Sequence, residues 1–353
     1  MNEQNKTVTN DTVPSMAMLQ MISAFRSSRA IYVAAKLGLA DLLKDRPKSR
    51  EELAQATGTH ASSLYRVMRM LASIGIFAEV EEGLFALTPL AATLLSDAPG
   101  SLRAGALSTL GEVSYQTWGE IMHTVLTGRP AFDYVFGMGV WDYRAEHPEV
   151  AKTFDEAMAN NIEHYNVAVL AEYPFSVFKN IVDVGGGDGS FLIALLKTNP
   201  AMNGVLFDLP HVAEKAKRRI AEADLVSRCE VVAGDVFTSV PQGGDAYVLS
   251  RLINAFENER AVAVLKACHK AMGGNSKLLL VQRVLPDRVE KSSTAQAVTV
   301  MDLQMMVNTG GCERTEAEHR ALAESAGFRV TKVVPTQSEM TVIECQHNSE
   351  ERW

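Results

Sequence analysis

The chain has 353 residues, of which 47% are hydrophobic, and this length and composition predict two domains with a large apolar core. Its formal net charge of −8 argues against a nucleic-acid partner, and no apolar run approaches the length of a membrane span. Four widely spaced cysteines without a CxxC pair predict reduced thiols in a cytosolic protein, with no disulfide framework and no metal site.

The chain begins with a polar segment, residues 1–14, that lacks the hydrophobic core of a signal peptide and is predicted to be a disordered tail. Residues 15–100 are predicted to form a separate helical domain. Its first helix is strongly apolar and carries Met18, Leu19, Met21, Ile22, Phe25, Ile31, Tyr32 and Val33.

The rest of this domain has the pattern of a winged helix. A capping box begins a helix at Ser49, and that helix is predicted to end at Gly58. Two short apolar runs, residues 75–78 and 84–87, are predicted to pair as the wing. The helix before them has apolar residues at i, i+3, i+4 and i+7, namely Leu64, Val67, Met68 and Leu71.

A winged helix is most often a DNA-binding module, so a cofactor-sensing transcription factor is one hypothesis for the chain. Its charge argues against that, because residues 21–97 contain nine basic and eight acidic residues. The wing itself carries Glu79, Glu81 and Glu82. Sequence-specific DNA binding in a gel shift at physiological salt would support the regulator.

Residues 101–170 form a predicted helical linker, rich in Trp, Phe, Tyr, Met and His between Trp118 and Tyr165. Most of these side chains are predicted to pack between domains. Part of the segment fits a substrate-pocket wall, because such pockets are apolar with a few polar groups.

Residues 171–353 open with the pattern of a nucleotide-binding βαβ unit. Residues 181–184 are a buried strand, residues 185–189 are a glycine-rich turn, and an apolar helix begins near Phe191. A second strand ends in Asp208, whose carboxylate is placed to accept hydrogen bonds from ribose hydroxyls. The glycines allow close approach of a ligand to the backbone.

The spacing of the glycines in this turn distinguishes a dinucleotide site from a SAM site. A dinucleotide site needs a third glycine where this chain has Ser190. The turn D-x-G-x-G-x-G, Asp183 to Gly189, instead resembles the S-adenosylmethionine (SAM) loop of Rossmann-like methyltransferases. After the third strand, Asp235 is placed to accept from an adenine amino group and Phe237 to stack on the ring.

The motifs DVGGGDG, LFDLPHV, GDVF and GGCERTEAEHRALAESAGF resemble the small-molecule O-methyltransferase family of caffeate, hydroxyindole and polyketide enzymes. The chain is also similar to the bacterial phenazine N-methyltransferase of pyocyanin biosynthesis. The resemblance spans residues 15–345. It implies a class I Rossmann-like α/β fold, with residues 328–334 and 340–344 as an antiparallel edge. It also implies a homodimer formed by the winged-helix domain.

The same resemblance implies the site residues. The cofactor-binding set comprises Asp183, Gly185, Gly187, Asp208, Leu209, Gly234, Asp235, Val236 and Phe237, with Ser250 or Arg251 near the methionine end. The substrate-binding set comprises Trp118, Met158, Asn161, Met301 and Met305, with Tyr143 and Phe154 as weaker candidates.

The family's catalytic histidine is replaced here by Asn254, and its glutamate partner by Gln282. An amide cannot accept a proton at physiological pH. Three hypotheses remain open. The acceptor is already nucleophilic, as an acidic phenol, enol, ring nitrogen or thiol. Alternatively another base acts, with His164 ahead of His123, while His211 packs beside the cofactor loop. Finally, the fold has been repurposed for hydroxylation or pericyclic chemistry.

The sequence therefore predicts a SAM-dependent methyltransferase acting on a hydroxyl, or a ring nitrogen, of a small aromatic secondary-metabolite intermediate. Methyl transfer would proceed by proximity and orientation, without a histidine base. A non-catalytic subunit is a further hypothesis, against which the complete set of SAM-loop residues argues.

Overall fold

The computed structural model describes residues 13–348, except for the side chains of residues 159–164. The chain forms two compact units. One contains the residues up to Tyr115 together with Lys152–Ala157, and the other contains Gln116–Ala151 and the residues from Met158 onward. Apart from Val13 and Pro14, the predicted tail lies outside the described residues, and Pro14 already opens the first helix. No described helix has the length and hydropathy needed to cross a membrane.

The first unit is a set of helices with one small sheet. Its strands are β1 (Lys48–Ser49), β2 (Phe77–Glu81) and β3 (Leu84–Leu87), paired antiparallel in the order β1-β3-β2. Its helices are α1 (Pro14–Leu37), α2 (Leu39–Leu42), α3 (Arg50–Thr57), α4 (Ala61–Ser73), α5 (Pro89–Ala92) and α6 (Arg103–Leu110).

Local sequence accounts for these elements, and the predicted winged helix is confirmed. The Ser49 hydroxyl accepts from the Glu52 N–H, and the Glu52 carboxylate accepts from the Ser49 N–H, so the capping box starts α3. Gly58, with φ of 66°, ends it in the left-handed conformation. Leu64, Met68 and Leu71 of α4 are buried in the core of the unit.

Helix α1 is buried at its end and exposed at its start. Ala34 and Ala35 are almost fully buried, whereas Met21 is 71% exposed and Ile22 is 63% exposed. Exposed large apolar side chains continue along the same part of the helix with Met16, Met18, Leu19 and Phe25. The first half of α1 is therefore an apolar face that no described residue covers.

The second unit has helices around one large sheet. Helix α7 (Glu112–Gly119) and helix α11 (Pro148–Glu172) contain residues of both units. The other helices are α8 (Ile121–Thr127), α9 (Ala131–Phe136), α10 (Val140–Glu146), α12 (Ser190–Thr198), α13 (Pro210–Glu222), α14 (Asn258–Ala271), α15 (Ser293–Asn308) and α16 (Glu316–Ser325). The strands are β4 (Asn180–Val184), β5 (Asn203–Asp208), β6 (Cys229–Ala233), β7 (Ala246–Ser250), β8 (Lys277–Leu285), β9 (Arg314–Thr315), β10 (Phe328–Pro335) and β11 (Met340–His347).

The sheet has the order β10-β11-β8-β7-β4-β5-β6, with β9 paired to β8 outside this path. The strands from β6 to β8 are parallel, while β11 and β10 add an antiparallel edge, as predicted. The parallel strands are apolar along most of their length because helices cover both faces of such a sheet. The carboxyl ends of β4, β5, β6 and β7 consequently meet at one edge, where parallel sheets bind ligands.

Candidate active site

The turn after β4 is rich in glycine because its backbone is left-handed at some positions and closely packed at others. Gly185 has φ of 70° and Gly187 has φ of 60°, which is left-handed backbone that favours glycine. A Cβ on Gly185 would lie 2.9 Å from the Leu252 side chain. The N–H of Gly185 donates to the carbonyl of Phe207 at 2.8 Å, so the turn is anchored to the end of β5.

Asp208 joins this turn to the next strand end. Its Oδ2 accepts from the Gly187 N–H at 2.8 Å, and its Oδ1 accepts from the Leu209 N–H at 2.7 Å. Burial raises the pKa of Asp208, whereas these two backbone hydrogen bonds and the nearby His211 lower it. Each carboxylate oxygen has a further lone pair, so the oriented group still has capacity to accept from a ligand.

Asp183 lies behind the turn and is sealed from solvent. It is 1% exposed, and neither carboxylate oxygen has a hydrogen-bond partner among the described residues. Burial, followed by the charge of Asp208, raises the pKa of Asp183 to about 7, and Arg251 opposes the rise. A Cβ on Gly186 would stand 2.8 Å from Oδ2 of Asp183, so this glycine leaves room for the acid. Because it is sealed behind the turn, Asp183 could affect a ligand there only through its charge.

The segment after β6 supplies a ring and a carboxylate at the same edge of the sheet. The N–H of Gly234 donates to the Asp208 carbonyl at 2.9 Å. Oδ1 of Asp235 accepts from the Phe237 N–H at 2.9 Å, which orients this exposed acid. The Phe237 ring is 38% exposed, and the Arg260 guanidinium lies 4.7 Å from its centroid. Asp235 and Phe237, with Val236 partly buried between them, are thus open to a ligand.

Asn254 lies in a short 3₁₀ turn after β7 and is 6% exposed. Its Nδ2 donates to Oε1 of Glu313 at 2.9 Å, while its Oδ1 is buried without a partner among the described residues. A Cβ on Gly311 would lie 2.1 Å from the Asn254 carbonyl oxygen, so the two segments touch through backbone. The glycine therefore permits the approach that brings Glu313 to Asn254.

Glu313 is a candidate site residue that the sequence patterns did not indicate. It is 3% exposed, and burial raises the pKa of its carboxyl, while the bond from Asn254 and the charge of Arg283 lower it. Its N–H donates to Oδ1 of Asp302 at 2.9 Å. A signal was present, because an acid follows two glycines and precedes the capping box at Thr315. Only the fold places it beside Asn254.

Of the other two residues predicted to be catalytic, the structure describes the side chain of Gln282 but not that of His164. Gln282 is fully buried in β8, where its Nε2 donates to the Leu249 carbonyl at 3.1 Å and its Oε1 has no partner among the described residues. The side chain of His164 lies outside the described residues, as does that of Asn161. His123 stacks on Tyr134 with a centroid distance of 4.2 Å. His211 is exposed at the start of α13.

The residues predicted for the pocket wall are partly gathered by α15. Nε1 of Trp118 donates to Oε1 of Gln304 at 2.8 Å, which ties the start of the linker to this helix. Met301 and Met305, both partly buried, are four residues apart on α15, which also carries the Asp302 that binds Glu313. Met158 is partly buried on α11.

Tyr143 and Phe154 are the two weaker candidates for the wall. Tyr143 stacks on His147 within an aromatic cluster, and Phe154 belongs to the first unit. Among the described residues, no group of three or more His, Cys, Asp or Glu could hold a metal ion.

Two family models match the chain. A model of the O-methyltransferase domain matches residues 118–329, and a model of the O-methyltransferase dimerisation domain matches residues 19–97. Together they cover most of both units, and the resemblance predicted from the sequence motifs is confirmed.

Individual relatives cover nearly the whole chain. Phenazine O-methyltransferase of Lysobacter antibioticus is 43% identical over 332 residues, which are 94% of this chain and 96% of that protein. Phenazine-1-carboxylate N-methyltransferase of Pseudomonas aeruginosa is 30% identical over 327 residues, covering 92% and 95% of the two chains.

A solved structure of an O-methyltransferase is also similar to nearly the whole chain. An O-methyltransferase from neocarzinostatin biosynthesis, crystallised with SAM and 2-hydroxy-5-methyl naphthoic acid, superposes with a TM-score of 0.84 at 31% identity. The superposition covers 93% of this chain and 98% of the other.

The buried carboxyl of Asp183 predicts how the free energy of unfolding depends on pH. Because the pKa of Asp183 is raised from 3.8 to about 7, the folded protein binds more protons than the unfolded chain between these values. Stability therefore falls as the pH rises through that window. We expect Asp183→Asn to stabilise the ligand-free protein at pH 8 by up to about 4 kcal/mol in urea denaturation.

The advantage of this variant should shrink towards zero near pH 4, where the wild-type acid is protonated. The exposed Asp287→Asn serves as the control and should change little. Equal stability of wild type and Asp183→Asn at pH 8 would contradict the assignment.

Proposed function

Since the chain belongs to the SAM-dependent O-methyltransferase family, we propose that it transfers the methyl group of SAM to a hydroxyl of a small aromatic intermediate. The phenazine and naphthoic acid ligands named for its relatives favour a fused aromatic acceptor. The partly buried apolar side chains on α15 suit such a flat ring system.

The residues at the sheet edge fit SAM, which supplies an electrophilic methyl group on a positively charged sulfonium. The glycine turn leaves open space at Gly187, where a Cβ would meet nothing within 4 Å. The oriented carboxylate of Asp208 suits the ribose hydroxyls, and Asp235 with Phe237 suits the adenine. The charge of Asp183 favours a cationic ligand. In full, the proposed cofactor residues are Asp183, Gly185, Gly187, Asp208, Leu209, Gly234, Asp235, Val236, Phe237, Ser250 and Arg251.

The observation that carries the choice of a hydroxyl is the orientation of Asn254. Its Nδ2 is committed to Glu313, whereas its Oδ1 is buried and has no partner among the described residues, so we assign Oδ1 to the acceptor molecule. A hydroxyl can donate a hydrogen bond to this oxygen, whereas an unprotonated ring nitrogen can only accept one. A buried acceptor without a partner costs about 1–3 kcal/mol, which a donating substrate would recover. O-methylation is favoured over N-methylation for this reason.

Neither Asn254 nor Gln282 can act as a general base in the way that a histidine does. Asn254 has no titratable group, and Gln282 is buried in the sheet. General-base catalysis contributes roughly 10²–10⁴ in rate, so its absence is tolerable for an acidic hydroxyl, which donates its proton in a hydrogen bond to Oδ1 of Asn254 when it binds and releases it to solvent as the methyl group is transferred. We infer that Asn254 positions the acceptor oxygen and that proximity supplies most of the rate. Hydroxylation or pericyclic chemistry finds no support, because the relatives compared are named methyltransferases.

The uncovered half of α1 supports a homodimer. Its exposed methionines, with Ile22 and Phe25, lie within the segment matched by the dimerisation-domain model. A second copy of the chain would remove this apolar face from water. The wing is an unsuitable DNA contact because Glu79, Glu81 and Glu82 are exposed on it.

The cofactor assignment predicts that SAM and S-adenosylhomocysteine bind to the purified protein in calorimetric titration, whereas NADH does not. Asp208→Ala should weaken SAM binding by roughly 10–100-fold, because hydrogen bonds to a charged group are lost. Asp287→Ala, an exposed acid in a loop, should bind as the wild type does. Unchanged SAM affinity in Asp208→Ala would refute the ribose assignment.

The positioning role predicts that Asn254→Ala keeps measurable turnover. We expect kcat with 1-hydroxyphenazine to fall by roughly 10–100-fold while the Kd for SAM stays unchanged, since one hydrogen bond is lost. Glu313→Gln keeps an oxygen that can accept from Nδ2 of Asn254, so its kcat should fall less. Mass spectrometry of the methylated product provides the measurement. Complete loss of turnover with normal acceptor binding would show that Asn254 does more than position.

The dimer assignment predicts that Met21→Lys shifts the protein to monomers in light scattering at micromolar concentration. A charge placed within a buried apolar interface is costly to desolvate. Val177→Lys, at a position that is 69% exposed in the second unit, is the matched control and should leave the mass unchanged. A wild-type monomer, or a Met21→Lys dimer, would contradict the proposal.

A further inference from the structure

Arg314 is a buried arginine beside the proposed acceptor site. Its side chain is 2% exposed, and it lies in β9 directly after Glu313. Its backbone is fixed on both sides, because β9 pairs with β8 at Val284 and the capping box at Thr315 begins α16. Burying a guanidinium is costly unless its donors are hydrogen-bonded. The partners of Arg314 therefore indicate what this side chain does.

The guanidinium bonds the segment that carries Asn254. Nη1 of Arg314 donates to the Ile253 carbonyl at 3.1 Å, and Nη2 donates to the Phe256 carbonyl at 2.8 Å. One of these carbonyls precedes Asn254 in the chain and the other follows it. Nε donates to Oδ1 of Asn258 at 3.0 Å, at the start of α14. Three nitrogens of one side chain thus hold the segment from the 3₁₀ turn to α14.

The hydrogen bonds within the 3₁₀ turn are long. The Ala255 N–H donates to the Leu252 carbonyl at 3.2 Å. The Phe256 N–H donates to the Ile253 carbonyl at 3.3 Å. Both distances exceed the usual value of about 2.9–3.0 Å, and 3₁₀ hydrogen bonds have poorer geometry than those of an α-helix. The conformation of the turn therefore depends on bonds from outside it, and Arg314 supplies two of them.

The residues just before Arg314 contact the same turn. Glu313 accepts from Nδ2 of Asn254 at 2.9 Å, and the backbone of Gly311 lies against the Asn254 carbonyl. The Cys312 carbonyl accepts a further bond from Nη1 of Arg314 at 3.3 Å, so the arginine also ties its own loop to the turn. Glu313 thus orients the amide of Asn254, and Arg314 fixes the backbone from which that amide projects.

We propose that Arg314 is a positioning residue for methyl transfer, which fixes the turn that presents Oδ1 of Asn254 to the acceptor. The planar guanidinium directs its three nitrogens to Ile253, Phe256 and Asn258, a geometry that the single ammonium of a lysine does not reproduce. The inference rests on the proposed function and adds to it a residue that acts through Asn254 without touching the acceptor.

The first test compares Arg314→Lys with the wild type in turnover of 1-hydroxyphenazine and in binding of S-adenosylhomocysteine. We expect kcat to fall roughly 10-fold, because the turn loses part of its hydrogen bonding, while the Kd for S-adenosylhomocysteine changes by less than about 2-fold. Arg320→Lys, which replaces an arginine paired with Glu316 on the surface of α16, is the matched control and should keep the wild-type kcat. A wild-type kcat in Arg314→Lys would overturn the proposal.

A double-mutant cycle separates positioning from a general structural role. If Arg314 acts through Asn254, adding Arg314→Lys to Asn254→Ala should lower kcat by less than about 2-fold, since no amide is left to position. An equal loss of kcat on both backgrounds would show that Arg314 only supports the fold, and the positioning role would be wrong.

Asn258→Ala provides the same comparison if Arg314→Lys does not fold, as judged by thermal melting. Asn258 is exposed, and its replacement frees only Nε of Arg314. We expect kcat to fall by roughly 2–5-fold, and we expect this fall to disappear in the Asn254→Ala background. No fall in kcat, or the same fall on both backgrounds, would contradict the positioning role.

Failure of the proposed function gives a different result. A wild type that does not bind S-adenosylhomocysteine, or does not methylate 1-hydroxyphenazine, would overturn the proposed function and the positioning role with it. If the wild type does both while the effect of Arg314→Lys is independent of Asn254, only the positioning role is wrong.

Discussion

The close fit of the glycine turn at the end of β4 is the constraint on which the site depends. The turn can pass between Asp183, Leu206 and Leu252 only because three of its positions lack a side chain. Its N–H groups then reach Phe207 and Asp208, so the ends of β4 and β5 are locked together. Gly234 extends this link to β6 through the Asp208 carbonyl. One network of backbone bonds thus sets the shape of the proposed cofactor site.

Around that network the protein keeps polar groups that do not contribute to its stability. Among the described residues, Asp183 is a buried acid without a hydrogen-bond partner, Arg251 is a guanidinium without one, and Oδ1 of Asn254 accepts no hydrogen bond. Each costs free energy in the ligand-free state, and such violations are typical of sites that ligands complete. They differ in sign and in hydrogen-bonding character, which suits a cationic cofactor, an anionic group and a hydroxyl donor respectively.

At the acceptor end of the site, Asn254 in place of a histidine changes the chemistry that the protein can perform. With asparagine in place of histidine, a neighbouring carboxylate cannot tune a base, and it can only fix the direction of an amide. Glu313 does this for Asn254, and Asp302 holds Glu313 in turn. We propose that selectivity then depends on the substrate, which must bring an acidic hydroxyl.

The sequence by itself determined the fold class, the winged helix, the glycine turn and the acids at the strand ends. These features depend on local patterns: apolar periodicity, capping boxes and glycine spacing fix the elements, and parallel strands bring their carboxyl ends together. Tertiary structure decided the partners of side chains far apart in the chain. Glu313 meets Asn254 across fifty-nine residues through the backbone contact at Gly311. Gln282 is buried by strands on both sides. Such pairings follow from how strands and loops stack in space, which no local pattern encodes.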